Sequence, residues 1–185
     1  MLCATLLILG QTSKPVNSDA LRLVELAEQH AEGAAKTAKW VMKKGSKWVK
    51  MKTTDDHLDK DGAWRADVNS VTSIYSKKGQ YIQVTVTDSS PSGDVMDIST
   101  YYFWPSKKVA MVEFRTMRID YGGQIFKRWF DRNGKQVLKE EQALDGNGEE
   151  SKDPAVVARA KENKLGGRPY PATYSALPFA KLAPL

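Results

Sequence analysis

From residue 46 to residue 141 apolar and polar side chains alternate with a period of two, as in strands that turn one face to a core and the other to water. The clearest stretch is 80–88, where Ile82, Val84 and Val86 share one face and Gln83, Thr85 and Thr87 the other. Further strands are predicted over 47–53, 66–75, 95–104, 109–119, 124–130 and 135–139. The intervening segments are short and rich in turn formers: Asp59-Lys60-Asp61-Gly62, Ser76-Lys77-Lys78-Gly79, Pro105-Ser106-Lys107-Lys108, Tyr121-Gly122-Gly123 and Asp131-Arg132-Asn133-Gly134. Strands joined in sequence order by such turns make an antiparallel meander.

Before residue 46 the period lengthens. Ser18 and Asp19 suit a helix start. Leu21, Leu23, Val24, Leu26, Ala27 and Ala31 then form a wide apolar stripe, with Arg22, Glu25, Glu28 and Glu32 turned outward. Continued through Ala34, Ala35, Ala38 and Val41, the pattern predicts a helix that runs to Lys43 and Lys44 and stops at Gly45. The expected fold class is therefore α+β: a long N-terminal amphipathic helix packed on a curved antiparallel β-meander of about six to seven strands.

The chain ends read differently. Residues 1–10 are an apolar run too short to span a bilayer but suited to the core of a signal peptide. No Lys or Arg occurs before Lys14, so the leader is incomplete as it stands. The expected organisation is a truncated signal peptide over 1–13, one α+β domain over 14–144, and a polar hinge with a Pro-rich, partly disordered tail over 145–185. A short helix with Pro154 in its first turn is predicted inside that tail. The leader places the protein in the periplasm or outside the cell, with no transmembrane span.

Composition narrows the chemistry. With 185 residues, one Cys and two His, the chain holds neither a disulfide framework nor a Cys/His zinc site. No cofactor is implied, since neither Gly-Gly pair is followed by the Lys-Ser/Thr of a phosphate loop. Lys and Arg number 28 against 22 Asp and Glu, a formal net charge of +6. This bias is uneven. Residues 36–52 carry seven Lys and no acid, with Trp40 and Trp48 interleaved. Lys36, Lys39, Lys43, Lys44, Lys47 and Lys50 thus form a candidate patch for an anionic surface, an envelope polymer or nucleic acid. Against nucleic acid stands the absence of Arg for bidentate phosphate contacts.

Aromatic residues supply the other candidate. In extended chain Tyr101 and Phe103 share one face while Tyr102 and Trp104 share the other, and Trp129 opposes Phe126 and Phe130. Both faces carry more rings than one core needs. Tyr102, Trp104, Phe114 and Trp129, with Arg115 and Lys127 beside them, are expected to line a sheet face that binds a small acidic or amphipathic ligand or a protein partner. Asp56, His57 and Glu113 are the acid/base candidates for a hydrolase-type alternative, although no nucleophile accompanies them and no catalytic residue is assigned. Asp59, Asp61 and Gly62 match the middle of a calcium loop, but His57 and Val68 fall where its end ligands belong, so no metal is expected.

Residues 128–138, Arg128-Trp129-Phe130-Asp131-Arg132-Asn133-Gly134-Lys135-Gln136-Val137-Leu138, and more loosely 102–109, resemble the aromatic–Asp–x–x–Gly–Lys hairpin units of bacterial surface and periplasmic β-repeat proteins. The resemblance covers two hairpins, and Pro105-Ser106-Lys107 departs from the Asp/Asn-Gly pattern. The expected function is non-enzymatic binding of a ligand or partner through the aromatic and basic sheet face.

Overall fold

A computed structural model describes residues 18–34, 38–90, 94–118, 121–162 and 164–185. Eight strands follow one another in sequence: β1 (Lys39–Lys44), β2 (Lys47–Lys50), β3 (Val68–Lys77), β4 (Tyr81–Ser89), β5 (Val95–Phe103), β6 (Val109–Arg118), β7 (Gly122–Phe130) and β8 (Gln136–Leu144). They form one antiparallel sheet in the order β2-β1-β3-β4-β5-β6-β7-β8. Among the described residues two α-helices accompany it, α1 (Ser18–Ala34) and α2 (Pro154–Lys161). The expected fold class is overturned on this point: no long helix runs to Gly45, and the described chain is mostly an eight-stranded sheet, with α2 near the C-terminus.

The reason lies in residues 39–44. In a helix Val41 would end the apolar stripe, yet Trp40, Val41 and Met42 all have apolar neighbours, on two different sides. Val41 is buried in one cluster with Ile74 and Val84, while Met42 packs with Val68, Val71 and Trp40 in another. Alternation to two covered faces requires a strand. Gly45, with φ +55°, then closes a β-turn into β2 in place of ending a helix.

The sheet is covered on both faces. On the first, α1 lays Ala20, Leu23, Val24 and Ala27 against Tyr81, Tyr102, Trp104, Met111 and Trp129. Its N-terminal turn meets the β7–β8 tip, where Asp19 pairs with Arg132 at 3.0 Å. Its other end meets the β3–β4 tip, where Lys77 Nζ donates to His30 Nε2 at 3.0 Å. The helix therefore crosses the strands at one end of the sheet. Full burial of each Leu or Val side chain there contributes roughly 1.5–3 kcal/mol.

The second face is closed by the C-terminal stretch, which the sequence suggested would hardly join the core. Leu165, Tyr174, Leu177, Phe179 and Ala183 are buried against Val41, Tyr101, Phe103, Phe114 and Phe126. The stretch is tied down along its length. Arg168 pairs with Asp97 at 2.7 Å, Val109 N donates to Ala172 O at 3.0 Å, and Tyr174 Oη donates to Ala183 O at 2.5 Å. Phe179 meets Trp48 of β2 at 4.7 Å between ring centres. The polar region after β8 is held by local hydrogen bonds. Asp145 Oδ1 accepts from Asn147 N and Glu149 N, both at 2.9 Å, and Asp153 Oδ1 caps α2 through Ala155 N at 2.7 Å.

Turn chemistry repeats. Asp59, Asp131 and Asp145 each accept from two backbone N–H groups two and four residues ahead, and Gly62, Gly134 and Gly148 each sit at positive φ three residues on. This is the three-residue hairpin in which the last loop position needs left-handed backbone. Asp59, Asp61 and Gly62, which resemble the middle of a calcium loop, form a self-satisfied Asx turn. Among the described residues no group of three or more His, Cys, Asp or Glu side chains is arranged to hold a metal ion. No described helix is long and apolar enough to cross a membrane.

Candidate anion-binding clefts

The six residues expected to line one binding face do not lie together on an open surface. Tyr102, Trp104 and Trp129 are buried beneath α1, and Phe114 is buried on the opposite face beneath the C-terminal stretch. Burial raises the pKa of the Tyr102 phenol, with Glu28 and Glu113 adding to the effect. Trp104 is covered further by the Arg132 guanidinium, 4.9 Å from its ring centre. Packing therefore explains the aromatic surplus: the sheet has two cores, one on each face.

Arg115 and Lys127 occupy the half of the first face that α1 does not cross. Register aligns Thr100, Glu113, Lys127 and Glu140 in one row across β5 to β8, with Arg115 in the next row. Glu113 Oε2 lies 3.3 Å from Lys127 Nζ, and Oε1 lies 3.7 Å from Arg115. One carboxylate thus occupies both cations.

The acid/base candidates also separate. Asp56 accepts from Lys52 N at 2.5 Å and from Thr53 Oγ1 at 2.7 Å, which holds its carboxyl below the usual range. His57 packs its ring edge-on against Trp64 at 5.3 Å. Both belong to the loop between β2 and β3, whereas Glu113 lies on β6 with β1, β3, β4 and β5 between. No single point receives the three groups.

The lysine stretch becomes the β1–β2 hairpin, with Lys36 outside the described residues. Lys44 pairs with Asp67 at 3.0 Å, and Asp67, also held by Arg65, has its pKa lowered by both. Lys39 Nζ donates to Pro184 O, while Lys43 and Lys47 make no ion pair among the described residues. Lys50 is exposed and has no ion pair either.

What the structure adds is a set of neighbours from other hairpins. The start of β1, the end of β2, and the β3–β4 and β5–β6 tips all lie at the same end of the sheet. Two clefts open there, on either side of residues 182–185. The first, about 630 Å³, is bounded by Lys39, Lys50 and Lys52, with Trp40 and Met51 below and Pro184 at the side. The second, about 560 Å³, is bounded by Lys77, Lys78 and Lys107, with Tyr81 and Pro105 between. Among the described residues no Asp or Glu side chain lines either cleft, and Lys78 and Lys107 make no ion pair. Both volumes fall in the range of ligand sites.

The sequence alone groups Lys39 and Lys50 in a patch and assigns Lys77, Lys78 and Lys107 to turns. The available signal was two Lys-Lys pairs, each at the tip of a predicted hairpin in the same meander. Alternate hairpins of a meander point to one end, so the tips converge. Comparison with protein-family models, with curated proteins and with solved structures finds no match for this chain.

Proposed function

We propose that the protein is a binding module that docks on a flexible polyanion through the two lysine-lined clefts, with no covalent step. The observation that carries this reading is the pair of clefts itself: six lysines from three hairpins border them without a carboxylate side chain among the described lining residues. Lysines are compact point charges on flexible stems, and among the described residues neither cleft contains the rigid fork of an arginine. Such a surface favours repeated phosphate, sulfate or carboxylate groups over one defined small anion. The apolar leader-like run at residues 1–10 supports a site of action outside the cytoplasm, where envelope polymers offer those groups.

Titration with heparin and with single-stranded DNA at several salt concentrations tests the reading and separates a glycan source from a nucleic-acid one. Binding that weakens with salt is expected, with the slope falling by about one for each lysine engaged that is removed. Lys50→Glu, Lys78→Glu and Lys107→Glu together should weaken binding by more than about tenfold, since each replaces attraction by repulsion. Unchanged affinity in this variant, or no binding to either polymer at low salt, overturns the proposal.

A further inference from the structure

A third cleft, of about 420 Å³, opens at the opposite end of the sheet between Arg118 at the end of β6, residues 121–123 and α2. Its cations are arginines. Arg118 at the end of β6 and Arg159 on α2 both line it, both are exposed, and among the described residues neither makes an ion pair. Glu162 is the one carboxylate side chain among the described lining residues. Arg159 lies over the Tyr121 ring at 5.7 Å, and that ring is 63% exposed, the most exposed large apolar side chain in the described chain.

The floor is Gly122 and Gly123, where β6, β7 and β8 approach too closely for a side chain. A Cβ on Gly122 would sit 2.1 Å from Leu144 O, and one on Gly123 would sit 2.0 Å from Thr116 O. Backbone therefore forms the base, and the three long side chains form the walls. A guanidinium binds a phosphate or carboxylate through two parallel N–H bonds, which fixes orientation as well as position. An exposed phenol ring already partnered by a cation offers its remaining surface to another flat ring.

We infer that this cleft is a separate small-ligand site for a flat aromatic ring carrying a phosphate or carboxylate group, the oxyanion lying between Arg118 and Arg159 and the ring on Tyr121. The site shares no residue with the lysine clefts, so the two readings stand or fall apart.

Phenyl phosphate, benzoate and inorganic phosphate serve as probes against the full chain, with affinity measured calorimetrically. Saturable binding of phenyl phosphate or benzoate is expected, tighter than that of inorganic phosphate. Arg118→Ala and Arg159→Ala should each weaken it by about tenfold or more, the loss of one charge-assisted bidentate contact. Tyr121→Ala should reduce the aromatic probes towards the affinity of inorganic phosphate while leaving the latter unchanged. All three side chains are exposed, and circular dichroism and melting curves of each variant check that the fold is kept. The Lys50→Glu, Lys78→Glu, Lys107→Glu variant should bind phenyl phosphate like the wild type. The inference fails if the aromatic probes show no saturable binding, if both arginine variants bind as the wild type does, or if binding disappears with the lysines instead.

Discussion

At position 107 a lysine does what glycine does elsewhere in this sheet. Lys107 has φ +67° at the tip of the β5–β6 hairpin, where Trp104 N bonds to Lys108 O at 2.9 Å and Lys107 N to Trp104 O at 2.8 Å. The β7–β8 tip has the same bonds, with Asp131 in place of Trp104 and Gly134, at φ +89°, in place of Lys107. A left-handed backbone costs a side-chain-bearing residue roughly 1–2 kcal/mol. Lys107→Gly is therefore expected to stabilise the protein by about 1 kcal/mol, and Gly134→Ala to destabilise it by a similar amount, both read from urea midpoints. The first variant should at the same time bind polyanions less well. Stability and affinity moving in opposite directions would mark a residue kept for its charge despite its strain.

Among the elements, the C-terminal stretch contributes most of what composition failed to reveal. Its anchors Leu165, Tyr174, Leu177, Phe179 and Ala183 follow no helical or strand period, and prolines stand between them, so pattern and composition both suggest loose chain. They are instead spaced to fit hollows set by the sheet, which only the folded sheet defines. Burial pushes the Tyr174 phenol up to about 12 from its usual 10.0. A raised folded-state pKa means that the neutral form is favoured in the fold. Its stabilisation is full below pH 10 and is lost as pH rises through about 12. Tyr174→Phe should cost about 1 kcal/mol at neutral pH through the bond to Ala183 O and should flatten the alkaline loss of stability. Tyr81, Tyr101 and Tyr102 are raised by burial as well, so part of the alkaline slope remains. Phe179→Ala removes a side chain 1% exposed and is expected to cost about 3–5 kcal/mol, measured by denaturant unfolding.

On the scale of the whole molecule, the order of the strands was easier to read than what covers them. Alternation such as that of Ile82, Val84 and Val86 and turns such as Asp131 to Gly134 are local, and they carried the meander. Residues 39–44 are ambiguous because three lysines and the three apolar side chains between them fit a helical stripe as well as a two-sided strand. The lysine clefts were hidden for a different reason: they are assembled from hairpin tips far apart in sequence. Hydrogen exchange offers a check on how these parts depend on one another. In Phe179→Ala, amides of β1 and β2 should lose protection while those of β5, β6 and β7 keep it, because Trp48 and Val41 share the cover that Phe179 supplies. Uniform loss across all eight strands would contradict this ordering.

The packing of Phe179 on Trp48 also sets a timetable. During synthesis β1 and β2 leave the ribosome well before the ring that covers Trp48, which lies far along the chain. Until then one face of the whole sheet, with Phe103, Phe114 and Phe126, has no cover from its own chain. A growing chain of this kind cannot bury its largest rings step by step, so it should stay open and dependent on holdases until residues 165–183 have emerged.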